Sequence, residues 1–376
     1  MDPDKEQAGD RRPDDELEGI RREINRVDRE LLALLNRRAE LSLSVGRIKS
    51  RERKDVFDPL REKDVLQNLL ERNPGPLPAE HLQAVYREIL SSSRSLQRIQ
   101  KVVYLGPEGT FSYLAGLRAL GRGADFRPLP GLEDVFRCVR NASAELGVIP
   151  LENSLQGTVG QSLDLFLVYD VFIQAEISCR ITHSLLSRSP DLAGIRTVCS
   201  HPQALQQCTG WLRANLPGAE IVPVDSTAAA AQRVRHDPGE AAVAHAALAD
   251  AFGLNVLARS IEDLPENWTR FLIIGRNPAP PGKKDKSSVL FTLPDKPGSL
   301  AAVLDILARD GVNMKKLESR PLREGRWQYA FFADLECDLA REEYGSTLQR
   351  LRDACHHLRL LGSYPAGMRA EETDLE

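Results

Sequence analysis

The chain has 376 residues, 42% hydrophobic and 28% charged, with 50 Lys and Arg against 54 Asp and Glu. That length predicts about two to four domains, and near-balanced charge excludes the concentrated basic face that a nucleic-acid binder needs. The charged start, MDPDKEQAGDRRPDDE, lacks the apolar run of a signal peptide or membrane anchor, and Cys138, Cys179, Cys199, Cys208, Cys337 and Cys355 show neither CxxC nor regular spacing. Reduced thiols and a cytoplasmic protein are therefore expected, with no metal, no cofactor and no membrane partner.

After a disordered lead over 1–13, residues 14–100 are predicted to be helical. Ile20, Ile24, Val27, Leu31, Leu34, Leu35, Leu41, Val45 and Ile48 recur at three- and four-residue steps, one long amphipathic helix. Thirty-odd residues extend roughly 45 Å, more than a small domain spans, so this helix is expected to pack against another chain. Asp58-Pro59 predicts an N-cap and first-turn proline, and a third helix runs from about Ala79 to Ile99 after the loop NPGPLP.

From Lys101 short β-rich runs (KVVYLG, ELGVIP, VFIQAEI, IRTVCS, AEIVPV) alternate with helical stretches to residue 276, an α/β unit. Residues 277–286, NPAPPGKKDK, read as an unpacked linker. Residues 287–365 then give the order βαββαβ, and 366–376 a disordered tail. Walker, GxGxxG, HExxH and GxSxG motifs are all absent from the sequence.

On the long helix, Arg38 and Lys49 are eleven residues apart, about three turns, so both lie on one face and can converge on an anion. Arg21 lies about 25 Å from Arg38 on another face; if all three serve one small ligand, Arg21 comes from a second subunit. Arg61 sits in a helix's first turn, where the dipole disfavours a cation, and Ser93 and Gln97 form an i,i+4 polar pair. Singly, each is an ordinary surface residue.

As a set, carried on IRREINRVDRELLALLNRRAELSLSVGRIK, FDPLREKDV and REILSSSRSLQ, they resemble the all-helical chorismate mutase family. The resemblance implies a site of Arg38, Lys49, Asp58, Arg61, Glu62, Ser93 and Gln97, completed by Arg21 of the partner subunit in an intertwined dimer. It implies that Lys49 and Gln97 face the breaking ether bond while the arginines hold carboxylates.

In the α/β unit, GPEGTFSY is a Gly-containing turn that opens a helix and suits an anion, though a plain tight connection would look the same. PLENSLQGTV, CSHPQAL and VDSTAAAA also end strands in neutral polar groups, which argues for a polar cleft. With GVIPLENSLQGTV, THSLL and EDLPENWTRF, these segments resemble the prephenate dehydratase family, implying two α/β lobes like type II periplasmic binding proteins. Its Thr-Arg-Phe hallmark falls on Thr269, Arg270 and Phe271. The resemblance implies that Thr269 is the acid, that Arg270 holds a carboxylate, and that Asn153, Ser154, Gln156, Thr158 and Ser200 form its network, with Thr110, Phe111 and Ser112 in the pocket. His183, His201 and His245 are the competing proton donors.

Residues 287–365, through DKPGSLAAVLDILARDGVNMKKLESRP, resemble an ACT domain. That implies an L-phenylalanine site of Pro297, Gly298, Ser299 and Leu300 with Glu318, Ser319, Arg320 and Pro321, although Gly298 alone would also suit a tight turn. Deleting 280–376 is then expected to spare catalysis and remove sensitivity to phenylalanine, provided that the shortened chain stays folded. The joint expectation is a bifunctional mutase and dehydratase, a homodimer or larger; the rivals are a non-catalytic sensor of an aromatic precursor and an enzyme with one activity.

Overall fold

The computed structural model describes residues 13–52, 54–282, 284–322, 329–367 and 369–370. The expected lead, apart from Pro13, and the tail from 371 lie outside them. The chain divides into two compact units, one reaching Val56 and including Ser93–Arg98, the other formed by Phe57–Ser92 and everything from Ile99.

The first unit holds α1 (Pro13–Glu52), a 40-residue helix about 60 Å long. Asp14, Asp15 and Glu16 in its first turn and Lys49 and Arg51 in its last suit the helix dipole. The expected apolar stripe is present but uncovered: Ile20, Ile24, Val27, Leu31, Leu34, Leu41, Val45 and Ile48 are between 43% and 68% exposed.

In the second unit α2 (Pro59–Glu71) opens as the sequence predicts, Asp58 accepting from the Arg61 backbone N–H at 3.0 Å with Pro59 behind it. It is followed by α3 (Ala79–Gln97), whose end from Ser93 belongs to the first unit. The α/β part begins with β1 (Lys101–Leu105), α4 (Phe111–Leu120), β2 (Asp125–Leu129), α5 (Leu132–Arg140), β3 (Leu146–Asn153), β4 (Gly157–Thr158), α6 (Gly160–Val168) and β5 (Phe172–Arg180). A second lobe follows: β6 (Ser184–Ser187), β7 (Thr197–Ser200), α7 (Pro202–Gln207), α8 (Thr209–Asn215), β8 (Glu220–Pro223), α9 (Thr227–Val234), β9 (Glu240–Ala244), α10 (Leu248–Phe252) and β10 (Asn255–Ala258). The chain then returns to the first lobe as β11 (Trp268–Gly275). The first sheet runs β5-β11-β3-β1-β2, with β4 on β3; the second runs β10-β6-β9-β7-β8. Two crossings, 181–183 and 259–267, therefore join two α/β lobes, as expected.

The C-terminal part is β12 (Lys286–Thr292), α11 (Ser299–Arg309), β13 (Met314–Pro321), β14 (Tyr329–Leu335), α12 (Gly345–Ala354) and β15 (His357–Tyr364), with antiparallel sheet order β13-β14-β12-β15. Its own core gathers Val289, Phe291, Val303, Leu307 and Leu351. The opposite face of the same sheet contributes Leu290, Ala330, Phe332, Leu361 and Tyr364 to the first lobe's core, among Ile149, Leu163, Phe166 and Ile173. Period-2 alternation in β12 splits Val289 and Phe291 from Leu290, which is how one strand serves two cores.

Two expectations change here. The linker packs: Ala279 is buried, Gln174 donates to the Asn277 carbonyl at 2.8 Å, and Lys286 already belongs to β12. The tail is not wholly irregular, because β16 (Arg369–Ala370) pairs in parallel with β5. Among the described residues no helix is long and apolar enough to cross a membrane.

Candidate active sites

Within the first unit, Arg38 donates from Nη1 to the Ser93 hydroxyl, and Lys49 donates to the Val56 carbonyl at 2.9 Å. Gly46, one turn before Lys49, lies so close to α3 that a Cβ there would stand 2.9 Å from the Gln97 Cα. The Gln97 Oε1 is buried with no hydrogen-bond partner among the described residues. Four of the expected mutase residues, Arg38, Lys49, Ser93 and Gln97, thus share one unit. Arg21 is exposed on α1. In the second unit Asp58 is spent on capping α2, with Arg61 and Glu62 in that helix's first turn.

The second unit contains a cleft of ≈ 910 Å³ between the two lobes, lined by Thr110, Phe111, Ser112, Asn153, Gln156, Thr158, Thr269 and Phe271. Thr269 faces Asn153 across the antiparallel β11–β3 ladder. The Asn153 amide donates to Thr269 Oγ1 at 2.9 Å and to Asn267 Oδ1 at 2.7 Å, while its carbonyl oxygen accepts from the backbone of Leu155 and Gln156 at 3.1 Å each. Every hydrogen-bonding group of that amide is therefore committed, and its position is fixed. Asn267 passes the network on to Gln207 at 3.1 Å, which meets His183 Nε2 at 2.9 Å.

Three expected residues leave the cleft. Arg270 follows Thr269 in a strand, so its side chain emerges on the opposite face, where it is 9% exposed and paired with Glu176 at 2.6 Å, Asp334 at 2.5 Å and Glu152 at 3.1 Å. Burial opposes its charge, but Tyr364, Asp334 and Glu176 outweigh burial and raise its pKa. Such a guanidinium is not available to a substrate carboxylate. Ser200 is fully buried and donates to the Val243 carbonyl at 2.5 Å. Ser154 staples β3 to β11, donating to the Glu266 carbonyl and accepting from the Trp268 N–H.

The cleft does take in two of the competing proton donors, His183 and His201, and it gains Gln203, Gln207, Ser226 and Thr227. Their segments, THSLL, SHPQAL and STAAAA, were visible as motifs, but which positions turn inward depends on how the lobes close. Burial lowers the His183 pKa against the Gln207 hydrogen bond. His245, stacked edge-on to Phe111, is pushed down to about 4, first by burial and then by Arg118. Both imidazoles are neutral at pH 7 and poor acids there. His201 accepts from the Gln203 N–H as the cap of α7.

In the C-terminal part Gly298 caps α11 at φ 83°, a left-handed conformation suited to glycine, and a Cβ there would meet nothing. Glu318 accepts from Thr158 at 2.9 Å, and Arg320 holds Asp164 in a two-point pair at 2.9 and 3.0 Å.

Comparison with known proteins accounts for all three segments. Residues 20–98 match chorismate mutase type II, 102–279 match prephenate dehydratase and 287–356 match the ACT domain. A bifunctional chorismate mutase/prephenate dehydratase from Aquifex aeolicus is 40% identical over 361 residues, covering 95% of this chain and 100% of its own length. One of the same name from Pseudomonas aeruginosa is 37% identical over 93% of this chain and 98% of its own. The solved structure of an Arthrobacter aurescens prephenate dehydratase in complex with L-Phe superposes with TM-score 0.65 at 34% identity, over 70% of this chain and 90% of that one. Two catalytic segments and a C-terminal ACT segment, in the order of relatives matched nearly end to end, place this chain in the bifunctional chorismate mutase/prephenate dehydratase family, converting chorismate to prephenate and prephenate to phenylpyruvate.

Proposed function

We propose that the dehydratase reaction runs on the Thr269 hydroxyl, and the observation that carries this reading is the Asn153–Thr269 hydrogen bond. Because Asn153 donates to Oγ1, the hydroxyl's own proton is left to point into the cleft, and accepting one hydrogen bond strengthens its donation of another. As the ring C–O bond of prephenate breaks, that proton goes to the departing hydroxide, which leaves as water. The electron pair of the ring–carboxylate C–C bond flows into the ring, releasing CO₂ and completing the aromatic system; solvent returns the proton to Thr269. The N-terminal ends of α4 and α9, with Ser112, Ser226 and Thr227, offer the substrate carboxylates the donors that Arg270 does not, while Thr110 shapes the pocket with its hydroxyl donated to the Leu105 carbonyl. Gln156 and Thr158 line the opposite wall.

For the mutase, Lys49 and Gln97 serve the ether oxygen while Arg38 and Arg61, with Arg21 of the partner subunit, hold the carboxylates, fixing the compact conformer and the developing charge. The partner is a second copy of this chain: an uncovered apolar stripe on a helix about 60 Å long, with Arg21 out of its own site's reach, fits an intertwined dimer. The six cysteines are free thiols, in keeping with work in the cytoplasm. L-Phenylalanine, bound at Pro297–Leu300 and the 318–321 segment, is the feedback effector, stabilising a low-activity arrangement.

Prephenate turnover by Thr269 variants tests the central step. Thr269→Ala is expected to lose about 10²- to 10⁴-fold in kcat, while Thr269→Ser, which keeps a hydroxyl, retains most of it. Normal turnover in the alanine variant would remove Thr269 from the mechanism.

A further inference from the structure

Thr158 lines the cleft, but its hydroxyl lies on the Glu152 face of β3–β4, and both of its hydrogen bonds come from the C-terminal ACT module. The Thr158 Oγ1 accepts from Lys316 Nζ at 2.7 Å and donates its single proton to Glu318 Oε2 at 2.9 Å. Both partners stand on β13, whose side chains alternate between half-buried Lys316, Glu318 and Arg320 and exposed Lys315, Leu317, Ser319 and Pro321. The half-buried set lies on the dehydratase lobe, with Arg320 clamping Asp164 of α6.

Lys316 also donates to Glu152, whose other oxygen accepts from Arg270 at 3.1 Å. Glu152 and Arg270 are register partners next to the Asn153–Thr269 pair. The two strands therefore present Asn153 and Thr269 to the cleft and Glu152 and Arg270 to the ACT sheet. On that rear face Arg270 reaches Asp334 and Tyr364, and Lys286 reaches Glu176 at 2.9 Å. Burial would raise the Glu152 pKa, but Lys316 and Arg270 outweigh it and hold the carboxyl below its usual range, so the bridge is ionic at neutral pH.

We propose that Lys316 is a positioning residue for the dehydratase: with Glu318 it fixes the Thr158 hydroxyl and the β3–β4 wall of the cleft, so substrate affinity is set from β13. Held between an ammonium and a carboxylate on the Glu152 face, Thr158 has one orientation and ties β4 to β13. Without Lys316 the hydroxyl rotates, and β4, only two residues long, loses its anchor. The inference rests on the reading that the β3–β4 wall contacts prephenate, and the test separates the two.

Steady-state dehydratase kinetics are measured on full-length protein for Thr158→Val, Lys316→Met, the double variant and Lys316→Arg, with mutase turnover of the same preparations as a control on intactness. Thr158→Val and Lys316→Met should each raise KM for prephenate about tenfold, the size of one charge-assisted hydrogen bond, with kcat changed much less. The double variant should be no worse than Thr158→Val alone, since both remove one interaction, and Lys316→Arg should recover most of the affinity. An unchanged KM in Lys316→Met beside a raised KM in Thr158→Val overturns the positioning role and leaves Thr158 in the site; multiplying effects in the double variant overturn it too. Normal kinetics in Thr158→Val overturn the inference, because the hydroxyl's anchoring then does nothing for the wall. If Lys316→Met does not fold, Glu318→Gln replaces it in the same cycle, and independence from Thr158→Val again overturns the proposal.

Discussion

The residues around Thr269 show how strand geometry sorts chemistry from support. Thr269 and Phe271 line the cleft and Arg270 does not, which follows from alternation once the Thr-Arg-Phe triplet lies inside β11 rather than before it. The resemblance supplied three residues in a row; the pleat assigns them to two faces. His245 offers a measurable consequence at this scale. Its pKa falls to about 4 in the fold from an ordinary 6.5, so between those values the unfolded chain takes up a proton that the folded chain refuses. Its contribution to stability is full above about pH 6.5 and declines as pH falls toward 4, with a slope of about 1.4 kcal/mol per pH unit. Urea midpoints from pH 7.5 to 4.5 should therefore drop less steeply for His245→Gln than for the parent protein. Equal slopes would show that His245 titrates normally.

At the scale of elements, the helix periods carried most of the information. The three-and-four spacing of Ile20 to Ile48 gave α1, and Asp58-Pro59 gave the start of α2, because caps and amphipathic stripes are local properties. The contact of Gly46 with Gln97 was not local. Alanine is intrinsically better than glycine inside a helix by about 1 kcal/mol, so a sequence reading sees Gly46 only as a weak spot. The structure gives the opposite sign, since a methyl group there would press on the α3 backbone at 2.9 Å. Gly46→Ala should lower mutase turnover by about tenfold or more, the scale of a misplaced catalytic group, while prephenate turnover is kept. A chorismate consumption assay equal to that of the parent protein would show that α3 yields without cost.

For the whole molecule, the order of segments was legible and their attachment was not. An ACT module added by a loose linker would detach cleanly, which is the condition on which deleting residues 280–376 spares catalysis. Instead Phe332, Leu361 and Tyr364 lie in the dehydratase lobe's core and Asp334 pairs with Arg270. The truncated chain leaves Arg270 without Asp334 and Tyr364 and uncovers the apolar face of the first lobe. Each large apolar side chain left uncovered costs about 1.5–3 kcal/mol, so the fragment should melt about 10 °C below the full chain and bind a hydrophobic dye; a melting temperature unchanged by calorimetry would mean the shared core adds nothing. The sequence by itself determined the segments, their order and the Asp58 cap of α2, because motifs, periods and turns are written in neighbouring residues. Only the tertiary structure decided that Arg270 braces rather than binds, that Ser200 is structural, that Asn267 and Gln207 complete the network, and that Lys316 and Glu318 hold a hydroxyl on the cleft wall. Those pairings join residues 43 to 160 positions apart, and no local pattern encodes which face of one strand will meet which face of another.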